Sequence, residues 1–326
     1  MSGTPDVSVV MATAGRRVGL LWALDALAAQ ELPDGRTFEV VVVHTEGTVA
    51  PPLDAAAEHP LVAAGIARIV ADPAPFAAGK RNAGWRASRA PLVAFTDDDC
   101  RPRPDWLAAF LLAHEASPTA FLQGGAAIDP DQERVAMRAP RVRLQTFVPP
   151  TPWAELCSAA IPRGALEHVG GLDETFERAG EDTDLAWRLR DAGAPWVAVP
   201  EAVVDHAVET PGLLGALRVA ARFVDGPRLV RRHPGLRRFY PAGVFWSPAH
   251  AWWLLGALGI GHSVCRCRPL GLGLTAPWLA WHLTRYGRSP RGIARSAAEL
   301  PGDALIDGAQ IASFALASVR ERTPLL

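Results

Sequence analysis

Over its first two thirds the chain alternates short apolar runs with longer stretches whose apolar residues recur every three or four positions. The run VSVVMAT (7–13) is short, β-branched and closed by Gly15, which predicts a buried strand. VGLLWALDALAAQEL (18–32) has helical spacing and stops at Pro33. FEVVVVH (38–44) and GIARIVA (65–71) predict the second and third strands, and PLVAFT (91–96) the fourth, after a helix over FAAGKRNAGWRASR (76–89). PDWLAAFLLAHEA (104–116) predicts a helix with proline at its start, and TAFLQGGAAI (119–128) another strand. EDTDLAWRLRDAG is amphipathic, with Leu185, Leu189 and Ala192 on one face and Gly193 closing it. Two short strands should follow, PWVAVP and then AVVDHAV, with His206 near the end of the second. Strands and helices alternating at these lengths predict an α/β fold with a mostly parallel, doubly wound sheet.

Past about residue 210 the pattern changes. GPRLVRRHPGLRRFYP (226–241) is basic, and AGVFWSPAHAWWLLGALGIG (242–261) is apolar and rich in tryptophan. After CRCRP comes a second apolar stretch, LGLGLTAPWLAWHLTRY (270–286), and a last helix is expected over 303–322. We expect two domains, 1–210 and a helical, Trp-rich extension, 211–326. The apolar stretches are interrupted by Pro248, His250 and Pro277, so neither reads as a clean membrane span. Basic flanks and tryptophans suit an interfacial segment, and a buried helical hairpin suits the pattern equally.

Composition narrows the function classes. At 326 residues the chain buries a sizeable core. A net charge of −1 gives no overall field that would draw nucleic acid. Cys100, Cys157, Cys265 and Cys267 form neither a zinc spacing nor a disulfide framework, which fits reduced thiols and a cytoplasmic location, peripheral to the membrane face if the tail touches lipid. MSGTPDVSVVMATAGRR lacks the charged start and long apolar run of a signal peptide.

The chemistry concentrates in LVAFTDDDCRP (92–102), where an apolar strand runs into Asp97, Asp98 and Asp99. Three adjacent carboxylates repel, so they face open water or hold a cation. Ligands of such sheets bind beyond the carboxyl ends of the strands, where this triplet lies. Glu181 and Asp182 begin the later amphipathic helix, where acids also suit the helix dipole.

Together VSVVMAT, GKRNAGWRASRAPLVAFTDDDCRPRPDWL and GGLDETFERAGEDTDLAWRLRDAG resemble the family 2 glycosyltransferases of GT-A fold, over about residues 7 to 206. The resemblance implies a Rossmann-like domain that takes a nucleotide-diphosphate sugar and inverts the sugar carbon. It places Asp97 at the donor ribose and Asp99 on Mg²⁺ or Mn²⁺, with Asp98 helping either, Asp97 close enough to share the metal, and His206 as a further ligand. A hard cation suits carboxylate oxygens and neutralises the diphosphate leaving group. Asp182 matches the family's catalytic base and Glu181 its neighbour, while Arg81 and Asn82 match the residues beside the donor. The chain departs from the family after the second strand: His44, Thr45 and Glu46 stand where an acidic pair reads the nucleobase, although Thr13 keeps its place after the first strand. Thr45 and Glu46 are therefore candidates for the base edge. The tail suggests a glycan or lipid-linked acceptor and a membrane surface. The alternatives are a nucleotidyltransferase, which releases pyrophosphate, and a degenerate glycan-binding protein.

Overall fold

The computed structural model describes residues 3–15, 17–48 and 51–326 and divides into two compact units. The first holds the chain to Arg138 and Arg143–Glu209. The second holds Ala139–Val142 and Thr210–Leu326.

In chain order the first unit contains β1 (Val7–Ala12), α1 (Arg17–Ala28), β2 (Phe38–Thr45), the short helices α2 (Pro51–Ala57) and α3 (Pro60–Ala63), β3 (Ala67–Asp72), α4 (Ala77–Ala87), β4 (Leu92–Asp97) and β5 (Cys100–Pro102). Then come α5 (Trp106–Ala116), β6 (Phe121–Ile128), α6 (Glu133–Arg138), β7 (Ala159–Pro162), α7 (Arg163–Val169), α8 (Glu181–Asp191) and β8 (Trp196–His206). They build one eight-stranded sheet in the order β3-β2-β1-β4-β7-β6-β8-β5. β1 lies parallel to β2 and β4, and β3 parallel to β2. β7 runs antiparallel between β4 and β6, β8 is parallel to β6, and β5 closes the edge antiparallel to β8.

Alternation along the strands separates two cores. Val7, Val9 and Met11 face α1 and α5 with Leu20, Leu24, Trp106 and Phe110, whereas Val10 and Phe95 face α4, α7 and α8 with Trp85, Leu166 and Leu185. Burial on both faces is why these strands read as unbroken apolar runs.

The structure corrects several element boundaries. α1 stops at Ala28, before the predicted end at residue 32. The two strands expected after α8 are one strand of 11 residues, β8. Its pairing with β6 jumps from Ala198–Gln123 to Val203–Gly125, and Pro200 sits inside that interruption, where no ladder hydrogen bond is required of it. β5 and β7, of three and four residues, are too short to show a period and went unpredicted, as did α2, α3, α6 and α7.

The second unit carries α9 (Gly212–Ala220), α10 (Gly226–Arg232), α11 (Pro248–Arg266), α12 (Ala276–Leu283) and α13 (Pro290–Glu321). The second apolar stretch is therefore split: a 3-10 segment, Pro269–Thr275, precedes α12. The last helix starts earlier than expected, capped by the Ser289 side chain, and continues through Pro301. Among the described residues no helix is long and apolar enough to cross a membrane.

Candidate active site

Parallel pairing brings the carboxyl ends of β1, β2, β3 and β4 to one edge. Ala12 pairs with Val43 and Asp97, and Thr45 with Asp72. Asp97 ends β4 with its side chain about a quarter exposed. Asp98 turns inward and is buried: it accepts from Thr13 Oγ1 at 2.7 Å and from the Ala14 amide at 3.2 Å. Lys80 Nζ donates to the Thr13 carbonyl at 2.8 Å. Asp98, Thr13 and Lys80 thus fasten the chain leaving β1 to the turn leaving β4.

Arg81, buried on α4, is the hub. Its Nη2 donates to Asp97 Oδ1 at 2.8 Å, and its Nη1 to Glu181 Oε1 and Asp182 Oδ1, each at 2.9 Å. Burial alone would favour the neutral guanidine, but Asp182, Asp97 and Glu181 hold its charge and raise its pKa. One planar fork thereby joins the end of β4 to the start of α8.

The start of α8 is set locally. Gly180 occupies the cap position with φ 102°, a conformation that a side chain would disfavour. Thr183 Oγ1 donates to the Trp153 carbonyl and Trp187 Nε1 to the Pro152 carbonyl, and the Leu156 amide donates to Asp182 Oδ2 at 3.0 Å. Burial pushes the Asp182 carboxyl up to about 7, with Glu181 and Asp97 adding to the rise while Arg81 and the Leu156 amide oppose it. A carboxyl near neutrality suits a proton acceptor.

β5 and β8 pair Cys100 with His206, which sets Asp99 beside the imidazole. Asp99 Oδ1 lies 3.7 Å from His206 Nε2, and one ligand atom each of Asp99, Cys100 and His206 falls within a 4.8 Å cluster. His206 Nδ1 is 2.8 Å from the Ala207 carbonyl, which orients the ring and fixes a proton there, leaving Nε2 a lone pair toward Asp99. An oxygen and a nitrogen at this spacing fit a borderline or hard divalent ion. Burial raises the Cys100 thiol well above its ordinary value, and soft sulfur is a poor match for a hard ion.

The remaining candidates lie elsewhere. Asn82 is fully occupied: its Nδ2 donates to the Leu172 carbonyl and Glu174 Oε1, and its Oδ1 accepts from the Leu172 amide and Trp85 Nε1. Gly171, with φ 76°, must be small there, since a Cβ would stand 2.5 Å from Asn82 Oδ1. Asn82 therefore braces α4 against the segment before α8. Thr45 Oγ1 donates to the Ala74 carbonyl, and Glu46, exposed, gives its amide to the Asp72 carbonyl. Thr45 ends β2 and Glu46 follows it, and neither makes a hydrogen bond to the Arg81 cluster among the described residues.

Asp72, at the end of β3, is a carboxylate of this edge that the sequence reading missed, although ending a strand on an acid was its signal. Glu155 was missed too, because nothing periodic marks its segment. Burial raises its pKa, against hydrogen bonds from Thr151 and Gln123, and it lies close enough to Asp182 to feel that charge.

Residues 8–159 match the family model of glycosyl transferase family 2. The match covers a little less than half of the chain. The chain is 33% identical over 195 residues to the pre-mycofactocin glycosyltransferase of Mycobacterium tuberculosis (strain H37Rv), covering 56% of this chain and 40% of that one. It is 27% identical over 193 residues to validoxylamine A glucosyltransferase of Streptomyces hygroscopicus subsp. jinggangensis, covering 49% of this chain and 45% of that one. The chain thus spans less than half the length of these curated relatives. Among solved structures, the mannosyltransferase PcManGT of Pyrobaculum calidifontis, in complex with GDP-Man and Mn²⁺, aligns with a TM-score of 0.57 at 21% identity, over 98% of this chain and 88% of that one. GalNAc-T7 with UDP, GalNAc and Mn²⁺ aligns at 0.50 and 13% identity, over 72% of this chain and 51% of that one. These likenesses show a fold of GT-A type.

Proposed function

We propose that this chain is a metal-dependent, inverting glycosyltransferase that moves a sugar from a nucleotide diphosphate to an acceptor hydroxyl. The observation that carries the reading is Asp182. Its carboxyl, brought to about 7 by burial, is tied through Arg81 to Asp97 at the end of β4. The curated relatives named as glycosyltransferases and the nucleotide-sugar complexes of the fold neighbours support it.

In this reading Asp182 takes the proton of the acceptor hydroxyl. The acceptor oxygen bonds to the anomeric carbon from the face opposite the leaving group, the carbon–oxygen bond to the diphosphate breaks, and its electron pair leaves with the phosphate. Asp99 and His206 would hold a divalent ion, Mg²⁺ or Mn²⁺, which when bound neutralises the charge growing on the diphosphate. Arg81 holds Asp97, Glu181 and Asp182 at fixed separations, so donor and base meet around one bond. Thr45, Glu46 and Asp72 are the groups at hand for the nucleobase edge. The acceptor is a glycan or a lipid-linked sugar, met by a peripheral protein at the cytoplasmic face of a membrane.

The test is a panel of nucleotide sugars with nucleoside-diphosphate release as readout, with Mn²⁺, with Mg²⁺ and with chelator, run beside Asp182→Asn. The variant should bind nucleotide and metal like the parent and transfer at least about a hundredfold more slowly, the usual contribution of a general base. Transfer at the parent rate removes Asp182 as the base. Pyrophosphate released in place of nucleoside diphosphate overturns the reaction class.

A further inference from the structure

The second unit exposes apolar side chains in a way that its own packing does not explain. Beyond its first turn α11 is buried only along Gly256, Gly259 and Ser263. The rest of its C-terminal half faces outward, with Leu258 71% and Val264 72% exposed. Gly259 and Gly271 let α11 and the 269–275 segment touch backbone to backbone, since a Cβ on either would meet the other's carbonyl at 2.2 to 2.3 Å. The segment held there exposes Leu270, Leu272 and Leu274, Leu270 by 82%. A helix that is apolar around most of its circumference belongs in a core or in lipid.

The charge pattern says which covering it takes. From Gly226 to Ala298 the chain carries eleven arginines and no aspartate or glutamate. Arg266 and Arg268, both exposed, stand between Val264 and Leu270. Trp252 and Trp281 meet edge to face at 5.3 Å, and Trp252, Trp253, Trp278, Ile260 and Leu279 line a cavity of about 380 Å³. Indole rings and arginines bordering an apolar surface match the layered polarity of a bilayer interface. A second copy would bring Arg266 and Arg268 against like charge, and a flexible acyl chain fills a Trp-lined cleft that a rigid protein face leaves open.

We infer that the surface built by α11, the 269–275 segment and α12 docks on an anionic phospholipid bilayer. This deepens the reading of a transferase at a membrane face by naming the docking surface and the lipid charge it needs. The leucines enter the acyl boundary, the tryptophans sit at the headgroup level, and Arg266 and Arg268 meet the phosphates.

Flotation of the full chain with vesicles tests this, using phosphatidylcholine alone and with about one third phosphatidylglycerol. The chain should float with the anionic vesicles and lose that association as salt rises. The charge-reversed variant R266E/R268E should bind at least about twentyfold more weakly, since each arginine near an anionic surface contributes about a fivefold factor. Leu258→Ser with Val264→Ser, both at exposed positions, should weaken it too, with circular dichroism unchanged. Asp99→Asn should float like the parent, so a failed transfer reaction and a failed docking surface remain distinguishable. The inference is overturned if the parent does not float, if it floats equally on neutral vesicles, or if both tail variants float unchanged. Self-association abolished by the leucine changes, without flotation, overturns it in favour of a second copy.

Discussion

Replacing Arg81 by glutamine removes the cation that pairs with Asp97, Glu181 and Asp182 together. All three carboxylates lie within 2.8 to 2.9 Å of the guanidinium, whose side chain is 5% exposed, while theirs are 24%, 11% and 24% exposed. Two unit charges about 4 Å apart interact by about 4 kcal/mol at an effective dielectric near 20. Breaking a buried pair by deleting one partner typically destabilises by about 3–5 kcal/mol. For a unit of this size that lowers Tm by on the order of 10 °C. The pH dependence separates this account from a simple packing loss. In the variant the carboxylates repel, and they relieve the repulsion by taking up protons as pH falls. The stability deficit should therefore be largest near pH 8 and shrink by about half near pH 5, by the same reasoning. Asp182 itself titrates near 7 when folded against 3.8 as its ordinary value, so in the parent its contribution is full below about pH 4 and is lost as pH rises through about 7. Without Arg81 the Asp182 value rises further, and the acid limb of the transfer rate should move upward by at least about one pH unit. Thermal melts of parent and variant across this range, followed by circular dichroism, measure it. A deficit that stays constant or deepens on acidification refutes the argument, and Arg81→Lys should fall between, because an ammonium keeps the charge but its donors radiate from one nitrogen and cannot span acceptors that Nη1 and Nη2 reach separately.

Asn82→Ala should destabilise the first unit by about 2–4 kcal/mol, because the buried Leu172 amide and carbonyl lose their partners together; a chemical denaturation midpoint within error of the parent would contradict this. Glu39 is buried, and although burial would raise its pKa, hydrogen bonds from Ser8, Arg89 and Arg68 bring it below the ordinary value. Its contribution is thus present above the unfolded value of 4.5 and lost as pH falls, so Glu39→Gln should destabilise by about 2–4 kcal/mol at neutral pH and converge with the parent near pH 3, as urea titrations at the two pH values would show.

The α/β alternation was legible because β1, β2, β4 and β6 are buried on both faces and α1, α5 and α8 keep an apolar stripe. Asp97, Asp99 and Asp182 stood out because charges next to apolar runs need a reason. The sequence does not say which way a side chain turns. Asp98 looks equivalent to its neighbours in the triplet, and only the β1 register with β4 sets Thr13 under it. Asn82 sits next to Arg81 in sequence, yet on α4 one step of about 100° aims it at Leu172. Glu155 and the segment that caps α8 carry no period, because their conformation is imposed by α8. The tail was ambiguous for a further reason: apolar spacing alone cannot tell a helix buried all round from one that touches its neighbours along three small residues.

The antiparallel pairing of β5 with β8 bears on the order in which the molecule is made. Asp99 and Cys100 are synthesised about a hundred residues before their partner His206, which lies on the last strand of the sheet and whose position depends on β6 and β7 already being in register. Closing so long a loop is slow, because its entropy is lost before any contact rewards it. The oxygen–nitrogen pair therefore forms only when the whole sheet is complete. A partly folded chain has the three aspartates but no cluster, so under the proposed reading capture of a divalent ion would be a signature of the finished domain, stabilising it after assembly and leaving the earlier steps unaided.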